Sequence, residues 1–337
     1  MHDTYFAAAN TSEGFVSYYD SVFGNSEKVY IIKGGSGTGK SRLMKELAEY
    51  AEEAGATVER FLCSFDPGSL DGILINGTIA VLDGTAPHVY EAVLPGIRDN
   101  IIDMGQFWDI EALETKRNEI VSLMDEKKLC FESAYKYLSS FGEIRAAITK
   151  KLANDIKWDK ISGIITAECG KKACKDKTKT RIKSAFGRRG LVELETYAAS
   201  SPFKIRFSDC NNTQIGPIML EGVLHDGFIK ERIKALSYAP LWARKPDAFL
   251  MENDTAIELC DNNADYDLSD FLKSEWKRCL SEVKETAAIC DRLCALALES
   301  MKKAADFHSK IESVYISAMN FGAKESYTEE LKHRIIK

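Results

Sequence analysis

The sequence predicts an α/β fold that occurs twice in the chain, and two observations lead to this prediction. Residues 28–33 form a short apolar, β-rich segment, residues 34–41 are rich in glycine, and residues 41–54 carry apolar side chains at helical spacing. Blocks of similar sequence recur about 176 residues further along, in the same order. We therefore expect a three-layer sandwich with a mostly parallel sheet in each half, extended by long helices.

The glycine-rich segment reads Gly-Gly-Ser-Gly-Thr-Gly-Lys-Ser at residues 34–41, which fits the pattern G-x-x-x-x-G-K-[ST]. Glycines let consecutive backbone N–H groups point inward at phosphate oxygens, and the following helix adds the positive end of its dipole. A strand before the motif and a helix after it are the context that the motif requires. The sequence therefore predicts the P-loop NTPase fold, with bound ATP and Mg²⁺.

The motif also assigns the nucleotide ligands. Lys40 is expected on the β- and γ-phosphates, where it is a predicted catalytic residue, and Ser41 on Mg²⁺. The predicted nucleotide-binding residues are Gly34, Gly35, Ser36, Gly37, Thr38, Gly39, Lys40 and Ser41.

Residues 79–83, Ile-Ala-Val-Leu-Asp, have the form of a Walker B element, a buried strand that ends in an acid. Such a strand carries Asp83 to the carboxyl edge of the sheet, where folds of this class bind ligands. The sequence thus predicts Ser41 and Asp83 as the metal-binding pair and Asp83 as a catalytic residue. The alternative is an ordinary strand that ends in the turn at Asp83 and Gly84.

Two further catalytic candidates lie near this edge. Asp66 ends the preceding predicted strand and is expected either to orient water or a substrate hydroxyl or to cap a turn. His88 follows Asp83 by five residues and is expected either to sense the γ-phosphate or act in proton transfer, or to be structural. Asp71, before Gly72, is expected to form a turn.

The sequence does not identify the cation that stabilises the transition state, and it lacks the usual group that activates the attacking water. Five arginines are candidates for the cation: Arg98, Arg145, Arg181, Arg188 and Arg189. Asp83 is followed by Gly84, whereas vigorous ATPases of the RecA and AAA+ kind carry a glutamate beside the Walker B aspartate. A slow or partner-stimulated ATPase is therefore expected.

Composition is that of an ordinary globular protein with two domains. The 337 residues are 45% hydrophobic and 28% charged, with a net charge of −6, so neither a nucleic-acid nor a membrane partner is predicted. Without a recognisable secretion signal, the nine scattered cysteines are expected to be reduced thiols in the cytoplasm. Their spacing does not predict a metal site.

The internal repeat predicts that the second half has lost its phosphate loop. Residues 76–83 match 253–260, and residues 103–107 match 267–271. The same comparison sets the phosphate loop against residues 210–217, which places Gly216 at the lysine and Pro217 at the serine. A proline also lacks the backbone donor that the cradle needs. The alternative is an unrelated α/β domain over residues 180–260.

The repeat gives the predicted domain organisation. Residues 1–165 form a P-loop NTPase domain with a helical extension, 166–183 a basic linker, and 184–337 a degenerate repeat with a long C-terminal helix. Residues 273–316, and less regularly 110–150, have helical apolar spacing. These long helices are expected either to pack the two halves together or to serve as a moving lid or an arm that binds a protein partner.

Four segments resemble an uncharacterised family of tandem P-loop ATPases from Gram-positive bacteria. They are residues 6–16, 33–41, 63–72 and 82–88, and the resemblance is strongest over residues 2–110. It implies a P-loop fold in both halves and ATP as the ligand, but no particular substrate. This chain departs from the family pattern at residues 210–217, where members carry a second phosphate loop.

The predicted function is that of a cytoplasmic ATP-binding P-loop ATPase with one active nucleotide site. Two alternatives are a small-molecule or nucleoside kinase, with Asp66 as the hydroxyl base, and a nucleotide-gated scaffold that does not hydrolyse ATP. The motif does not distinguish ATP from GTP, because a phosphate loop recognises phosphates.

Overall fold

Two six-stranded sheets with the same strand order form the core of the protein. The structure is a computed structural model that describes residues 3–195, 201–261 and 263–336. Strands of the first half are β1 (Asp3–Phe6), β2 (Ala8–Thr11), β3 (Gly14–Ser17), β4 (Lys28–Lys33), β5 (Val58–Leu62), β6 (Leu70–Ile75), β7 (Ile79–Asp83) and β8 (Asp99–Asp103). Strands of the second half are β9 (Lys179–Thr180), β10 (Ser184–Gly187), β11 (Gly190–Glu193), β12 (Phe203–Ser208), β13 (Ile233–Tyr238), β14 (Pro246–Met251), β15 (Thr255–Leu259) and β16 (Tyr266–Asp267).

Helices pack on these sheets and extend beyond them. They are α1 (Tyr19–Phe23), α2 (Lys40–Glu53), α3 (Ile110–Thr115), α4 (Arg117–Ala153), α5 (Trp158–Glu168), α6 (Gly216–Val223), α7 (Gly227–Lys230), α8 (Leu280–Ser317) and α9 (Phe321–Ile335). Short 3-10 helices lie at Gly105–Phe107, Leu268–Phe271 and Ser274–Cys279.

The two sheets share one topology. The first has the order β1-β5-β6-β7-β4-β8 and the second the order β9-β13-β14-β15-β12-β16. In each, one strand, β6 or β14, is antiparallel to both of its neighbours, and the remaining pairs are parallel. A β-hairpin follows the first strand of each sheet, β2-β3 in one half and β10-β11 in the other. The predicted α/β fold with two similar, mostly parallel sheets is confirmed.

Strand pairing fixes which residues correspond in the two halves. Ile32 pairs with Asp83, as Phe207 pairs with Leu259. The carbonyl oxygen of Ile32 also accepts a hydrogen bond from Gly84 N at 2.9 Å, and that of Phe207 accepts one from Cys260 N at 2.9 Å. Phe207 therefore corresponds to Ile32, a separation of 175 residues, one fewer than the sequence comparison suggests.

Helix α2 forms because its apolar residues repeat on one face. Leu43, Leu47 and Ala51 are buried against the first sheet, as their spacing predicts. The chain leaves the helix at Gly55, whose φ of +84° is a left-handed conformation that favours glycine.

The long helices α4 and α8 pack together as an antiparallel pair. Nζ of Lys127 lies 3.0 Å from Nδ1 of His308 near one end, and Lys151 pairs with Glu282 near the other. Small and flexible apolar side chains fill the contact between them, namely Ala134, Leu138, Ala297 and Met301. The predicted long helices are thus present, and they join the two halves.

Each half contributes its last helix to the other half's core. Leu331 and Ile335 of α9 are buried in the core of the first sheet, and Ile161 and Ile165 of α5 in that of the second. Burying a side chain such as Leu331 stabilises the fold by about 1.5–3 kcal/mol. The crossing is reciprocal in the backbone as well, because Asp109 N donates to Ala318 O and Lys273 N to Asp155 O, both at 2.7 Å.

Because of this exchange, each predicted domain places a helix on the sheet of the other. The first sheet, with its core, includes a helix from the segment 184–337, and the second includes a helix from the segment 1–165. The predicted linker at 166–183 contains the end of α5 and all of β9, which pairs with β13. We call the first sheet with its covering helices the first unit and the second sheet with its covering helices the second unit.

Candidate functional site

Residues 34–39 connect β4 to α2 and turn sharply at two glycines. Gly37 has a φ of +75° and Gly39 a φ of +80°. Alternating left-handed residues turn successive N–H groups toward one side of a loop and form a concavity suited to an anion. Helix α2 begins at Lys40, so its N-terminal N–H groups face the same region. The local backbone therefore has the form of an anion cradle.

Lys40 lies between the loop carbonyls and a carboxylate. Its Nζ donates to Gly34 O at 2.9 Å and to Gly35 O at 2.8 Å, and it is 3.6 Å from Oδ2 of Asp83. Oδ1 of Asp83 accepts a hydrogen bond from Thr85 N at 2.8 Å, and Thr85 Oγ1 donates to Gly34 O at 2.8 Å. The end of β7 is thereby joined to the loop.

Ser41 occupies the first turn of α2. Its Oγ accepts a hydrogen bond from Leu70 N, at the start of β6, at 2.9 Å. This bond uses one lone pair of the hydroxyl, which leaves the other for a ligand. A hydroxyl and the carboxylate of Asp83 are hard oxygen donors, so the donor types fit Mg²⁺.

The other loop side chains have local or cross-unit partners. Thr38 Oγ1 donates to Gly35 O at 3.0 Å, which tightens the turn. Ser36 Oγ lies 3.5 Å from Nδ1 of His308 on α8. A Cβ on Gly35 would lie 3.3 Å from the ring of Trp108, so this ring covers the loop backbone closely.

Helix α8 lies against the loop. A Cβ placed on Gly37 would be 2.8 Å from the carbonyl oxygen of Glu312, so this position requires glycine for its close approach as well as for its φ. Burial raises the pKa of the Glu312 carboxyl, and nearby Asp66 raises it further. The last turns of α8 thus form one wall of the site.

His308 faces the loop one helical turn before Glu312, beside several cations. Burial is the main cause that lowers its pKa, to about 4, and Lys127, Lys40 and Arg188 lower it further. Burial also lowers the pKa of the Lys127 ammonium, and Lys40 adds to this effect. His308 is therefore a neutral imidazole at physiological pH, next to a concentrated positive charge.

The β10-β11 hairpin brings two arginines to Asp66 in the first unit. Arg188 N donates to Phe65 O at 3.0 Å, and Arg188 Nη2 lies 3.0 Å from Oδ2 of Asp66. Arg189 Nη2 is 3.8 Å from Oδ1 of the same carboxylate, which also accepts a hydrogen bond from Gly68 N at 3.2 Å. Asp66 thus caps a turn, as one of its two predicted roles states, and also anchors the hairpin tip.

The other three candidate arginines have partners away from the loop. Arg98 Nε lies 2.7 Å from Asp99, and Arg181 Nε lies 2.7 Å from Glu59. Arg145 is half-buried on α4, with its guanidinium 4.7 Å from the ring centre of Trp242. Among the five, the described geometry brings Arg188 and Arg189 to the side of the loop where Glu312 and Asp66 lie.

His88 and Asp71 form a buried group beside the site. His88 is 7% exposed, its Nε2 lies 3.3 Å from Oδ2 of Asp71, and its ring stacks on Tyr19 at 5.4 Å. The prediction of a turn at Asp71 is wrong, because this residue lies in β6 and is buried. Burial raises its pKa to about 6.

The second unit retains the shape of the loop but fills it with its own carboxylate. Asn212 and Gln214, at the positions of Gly37 and Gly39, have φ values of +52° and +58°. Oδ1 of Asp209 accepts a hydrogen bond from Thr213 N at 2.7 Å, and Oδ2 accepts one from Gln214 N. A phosphate in this cradle would have to displace a covalently attached anion.

Every chemical group of the first site is replaced in the second. The register puts Ile215, which is fully buried, at Lys40, Gly216 at Ser41 and Leu259 at Asp83. Counted from the helix starts instead, which are 176 residues apart, Gly216 falls at Lys40 and Pro217 at Ser41, as the sequence comparison expects. The two counts differ because the second loop, residues 209–215, is one residue longer than residues 34–39, and neither count supplies a cation or a hydroxyl.

The tips of the two hairpins also correspond in position but differ in their side chains. Ser12 and Glu13, at the tip of β2-β3, correspond to Arg188 and Arg189. Ser12 N donates to Leu241 O at 3.0 Å in the second unit, as Arg188 N does to Phe65 O in the first. Each hairpin thus reaches the other unit, but only the tip of β10-β11 carries two cations.

Sequence reasoning did not find Lys127, His308 and Glu312. His308 and Glu312 are four residues apart and so lie on one face of α8, which is the local signal available. Nothing in that spacing indicates that this face meets residues 34–39. Their role depends on the antiparallel pairing of α4 with α8.

Comparisons of the chain with models of protein families, with curated proteins and with solved structures found no match. Over the described ranges, none of the helices combines the length and apolar character needed to cross a membrane.

Proposed function

We propose that the chain binds one Mg²⁺–ATP at residues 34–41 and hydrolyses it slowly. The observation that supports this most directly is a comparison of two loops within the chain. Two loops in the chain share one left-handed backbone turn, and the second is filled by its own carboxylate, Asp209. The first carries Lys40, Ser41 and Asp83 around a cradle lined by backbone N–H groups and has no such internal anion among its described contacts.

The loop residues have complementary roles in this proposal. Backbone N–H groups of residues 34–39 and the α2 N-terminus hold the phosphate oxygens. Lys40 moves from the loop carbonyls to the β- and γ-phosphates, where its charge offsets theirs. Because its present partners are two neutral carbonyls and one carboxylate at 3.6 Å, a polyphosphate is a stronger partner for the ammonium.

Ser41 and Asp83 are the residues that would hold Mg²⁺. The ion would offset negative charge on the β- and γ-phosphates. Thr85 positions the carboxylate of Asp83, because its N–H occupies Oδ1 while its hydroxyl is bound to the loop. The Oδ2 atom is thus the one that faces Lys40 and the nucleotide.

The second unit completes the site in this proposal. Arg188 enters from the β10-β11 hairpin and Lys127 from the helix pair, so both can offset charge that develops on the γ-phosphate. Transfer to water requires an oriented water molecule, and Gly84 stands where a glutamate beside Asp83 would serve. Turnover is therefore slow unless a partner supplies or orients the missing base.

The proposal is tested with purified full-length chain, Mg²⁺ and ATP. Calorimetry should detect ATP binding, and phosphate release should occur without any added acceptor. Lys40→Ala should abolish both, whereas Lys45→Ala, on the exposed side of the same helix, should alter neither. The variants should have equal thermal stability, since Lys40 contributes no apolar packing.

Other outcomes separate the alternatives. ADP formation only in the presence of a hydroxyl acceptor would identify a kinase, and tight binding without turnover would identify a nucleotide-gated scaffold. Absence of ATP and GTP binding, or binding unaffected by Lys40→Ala, would refute the site itself.

A further inference from the structure

A thiol, a carboxylate and an imidazole meet in the first unit, next to the nucleotide site but separate from its loop. One ligand atom from each of Cys63, Asp71 and His88 lies within 4.8 Å of the other two. Asp71 and His88 are 4% and 7% exposed. We propose that these three side chains bind a Zn²⁺ ion. The proposal is independent of the proposed function.

The fold brings the three residues together from separate segments. Cys63 directly follows β5, and His88 lies in the connection from β7 to β8. Asp71 sits at a β-bulge, because Phe61 pairs with Gly72 while Leu62 pairs with Leu70. A bulge redirects a side chain without breaking the sheet, and here it turns the carboxylate toward Cys63 and His88.

Aromatic residues fix the imidazole in place. The ring of Tyr19 stacks on His88 at 5.4 Å, and the edge of Phe15 packs against it at 5.0 Å. The Tyr19 hydroxyl donates to the main-chain oxygen of Asp71 at 3.2 Å. A ligand whose rotamer is fixed by packing loses little entropy when it binds a metal.

The cluster has polar atoms without hydrogen-bond partners. Oδ2 of Asp71 and Nδ1 of His88 are fully buried and make no hydrogen bond within the described residues. Nε2 of His88 approaches Oδ2 of Asp71 to 3.3 Å, but without hydrogen-bond geometry. Burying polar groups without partners is costly, and a bound cation would remove this cost.

The second unit provides an internal comparison. Asp247 is the residue that corresponds to Asp71, since Ala248 pairs with Glu258 as Gly72 pairs with Leu82. Its carboxylate accepts a hydrogen bond from Ser184 Oγ at 2.9 Å and interacts with the buried ammonium of Lys183. The second unit thus supplies a built-in cation for this buried aspartate.

The first unit has no lysine in the corresponding place. The hairpin register puts Ala7 at the position of Lys183 and Ala8 at that of Ser184. In their stead the aspartate of the first unit faces Cys63 and His88, two residue types that bind metals. A cation from solution would offset the charge of Asp71, as Lys183 offsets the charge of Asp247 in the second unit.

The donor types select the metal. Thiolate, imidazole and carboxylate together are ligands for Zn²⁺, and three protein ligands leave one position for water. Mg²⁺ prefers oxygen alone and would avoid the thiolate. A bound ion would connect the segment that follows Asp83 to the β5-β6 hairpin, three residues from Thr85, which contacts the phosphate loop.

The test measures metal content and spectra of the full-length chain. After dialysis against Zn²⁺ and removal of the excess, the chain should retain one Zn²⁺ per molecule. Co²⁺ in its place should show a thiolate-to-cobalt charge-transfer band. Cys63→Ser and His88→Gln should each weaken binding at least 10-fold, while Cys130→Ser, another half-buried cysteine, should not.

Two outcomes would overturn the proposal. One is a wild-type chain that retains no Zn²⁺ and gives no cobalt band, which would leave a metal-free histidine–aspartate pair. The other is metal that is retained equally by Cys63→Ser. Should one variant fail to fold by circular dichroism, the cobalt spectrum of the other decides, because the chain has nine free cysteines and the wild-type band alone would not identify Cys63. None of these measurements involves nucleotide.

Discussion

Arg188, at the tip of the second unit's hairpin, lies with its Nη2 atom 3.0 Å from Oδ2 of Asp66 in the first unit. The contact joins residues 122 positions apart, and its counterpart in the other half joins Ser12 to Leu241 through backbone atoms. In this pair of contacts, the hairpin tip of each unit lies against the other unit. In the proposed function, the contact of Arg188 with Asp66 connects the second unit to the nucleotide site of the first.

We expect Arg188→Ala to lower ATP turnover by about 10²–10³-fold with little change in ATP affinity. A cation that acts on the transition state has this signature, and such arginines are among the larger contributions to phosphoryl transfer. The matched control is Glu13→Ala, at the tip of the first unit's hairpin, which should leave turnover unchanged. Steady-state kinetics would contradict this role if both variants behaved alike.

Asp83→Asn should separate metal-dependent from metal-independent binding. The substitution keeps the shape of the side chain and an oxygen that can accept from Thr85 N, but removes the charge near Lys40 and the metal position. ATP affinity in EDTA should be nearly unchanged, whereas Mg²⁺-dependent turnover should fall at least about 10-fold. Equal losses with and without Mg²⁺ would mean that Asp83 is structural.

Stoichiometry tests the loss of the second site. Calorimetry should give one ATP per chain, and Lys40→Ala should reduce this to near zero. Asp209→Ala empties the second cradle of its carboxylate but should still not create a second site, because Ile215, Gly216 and Leu259 supply neither a cation nor a metal ligand. A second saturable site that survives Lys40→Ala would refute the structural equivalence of the loops.

Gly37→Ala should abolish ATP binding, because it combines two costs. A left-handed φ costs a residue with a Cβ about 1–2 kcal/mol, and here the added atom would also lie 2.8 Å from Glu312 O. Gly55→Ala is the control, since its φ is +84° but nothing lies within 4 Å of the new atom. Denaturation should show a larger loss of stability in Gly37→Ala than in Gly55→Ala, because only Gly37→Ala adds the close contact with Glu312 O. An unchanged ATP affinity in Gly37→Ala would place the nucleotide elsewhere.

His308 should make stability fall as the pH is lowered from 6.5 to 4. Its pKa is about 4 in the folded chain against an ordinary 6.5, so in this window the unfolded chain binds more protons. The expected loss is roughly 2 kcal/mol, reduced from the full shift because the side chain is partly exposed. Asp71, with a raised pKa of about 6, acts in the opposite direction.

Comparison of variants isolates this effect, because the Asp71 contribution is common to them. Unfolding free energies measured from pH 4 to 8 should fall less steeply toward acid in His308→Gln than in the wild type. His225→Gln, at an exposed position, should follow the wild type. Parallel profiles for all three chains would show that His308 titrates normally.

The sequence by itself determined the glycine-rich loop between β4 and α2, the two similar sheets and the long helices. These features depend on neighbouring residues: the loop on six consecutive backbone units, the helices on apolar spacing, the strands on short apolar segments. The repeat was detectable because equivalent elements keep their order. Its register at the second loop was not, because no side chain there resembles its counterpart and the second loop is one residue longer than the first.

Only the tertiary structure decided which distant residues complete the site. His308 reaches the loop, with Lys127 and Arg188 beside it, because two hairpins and two helices cross between the units, and the sequence holds no signal for such an exchange. The same holds for Asp71, which a bulge turns away from its predicted turn toward Cys63 and His88. Contacts within a segment are set by local backbone chemistry, whereas contacts between segments depend on which buried faces find each other when the whole chain folds.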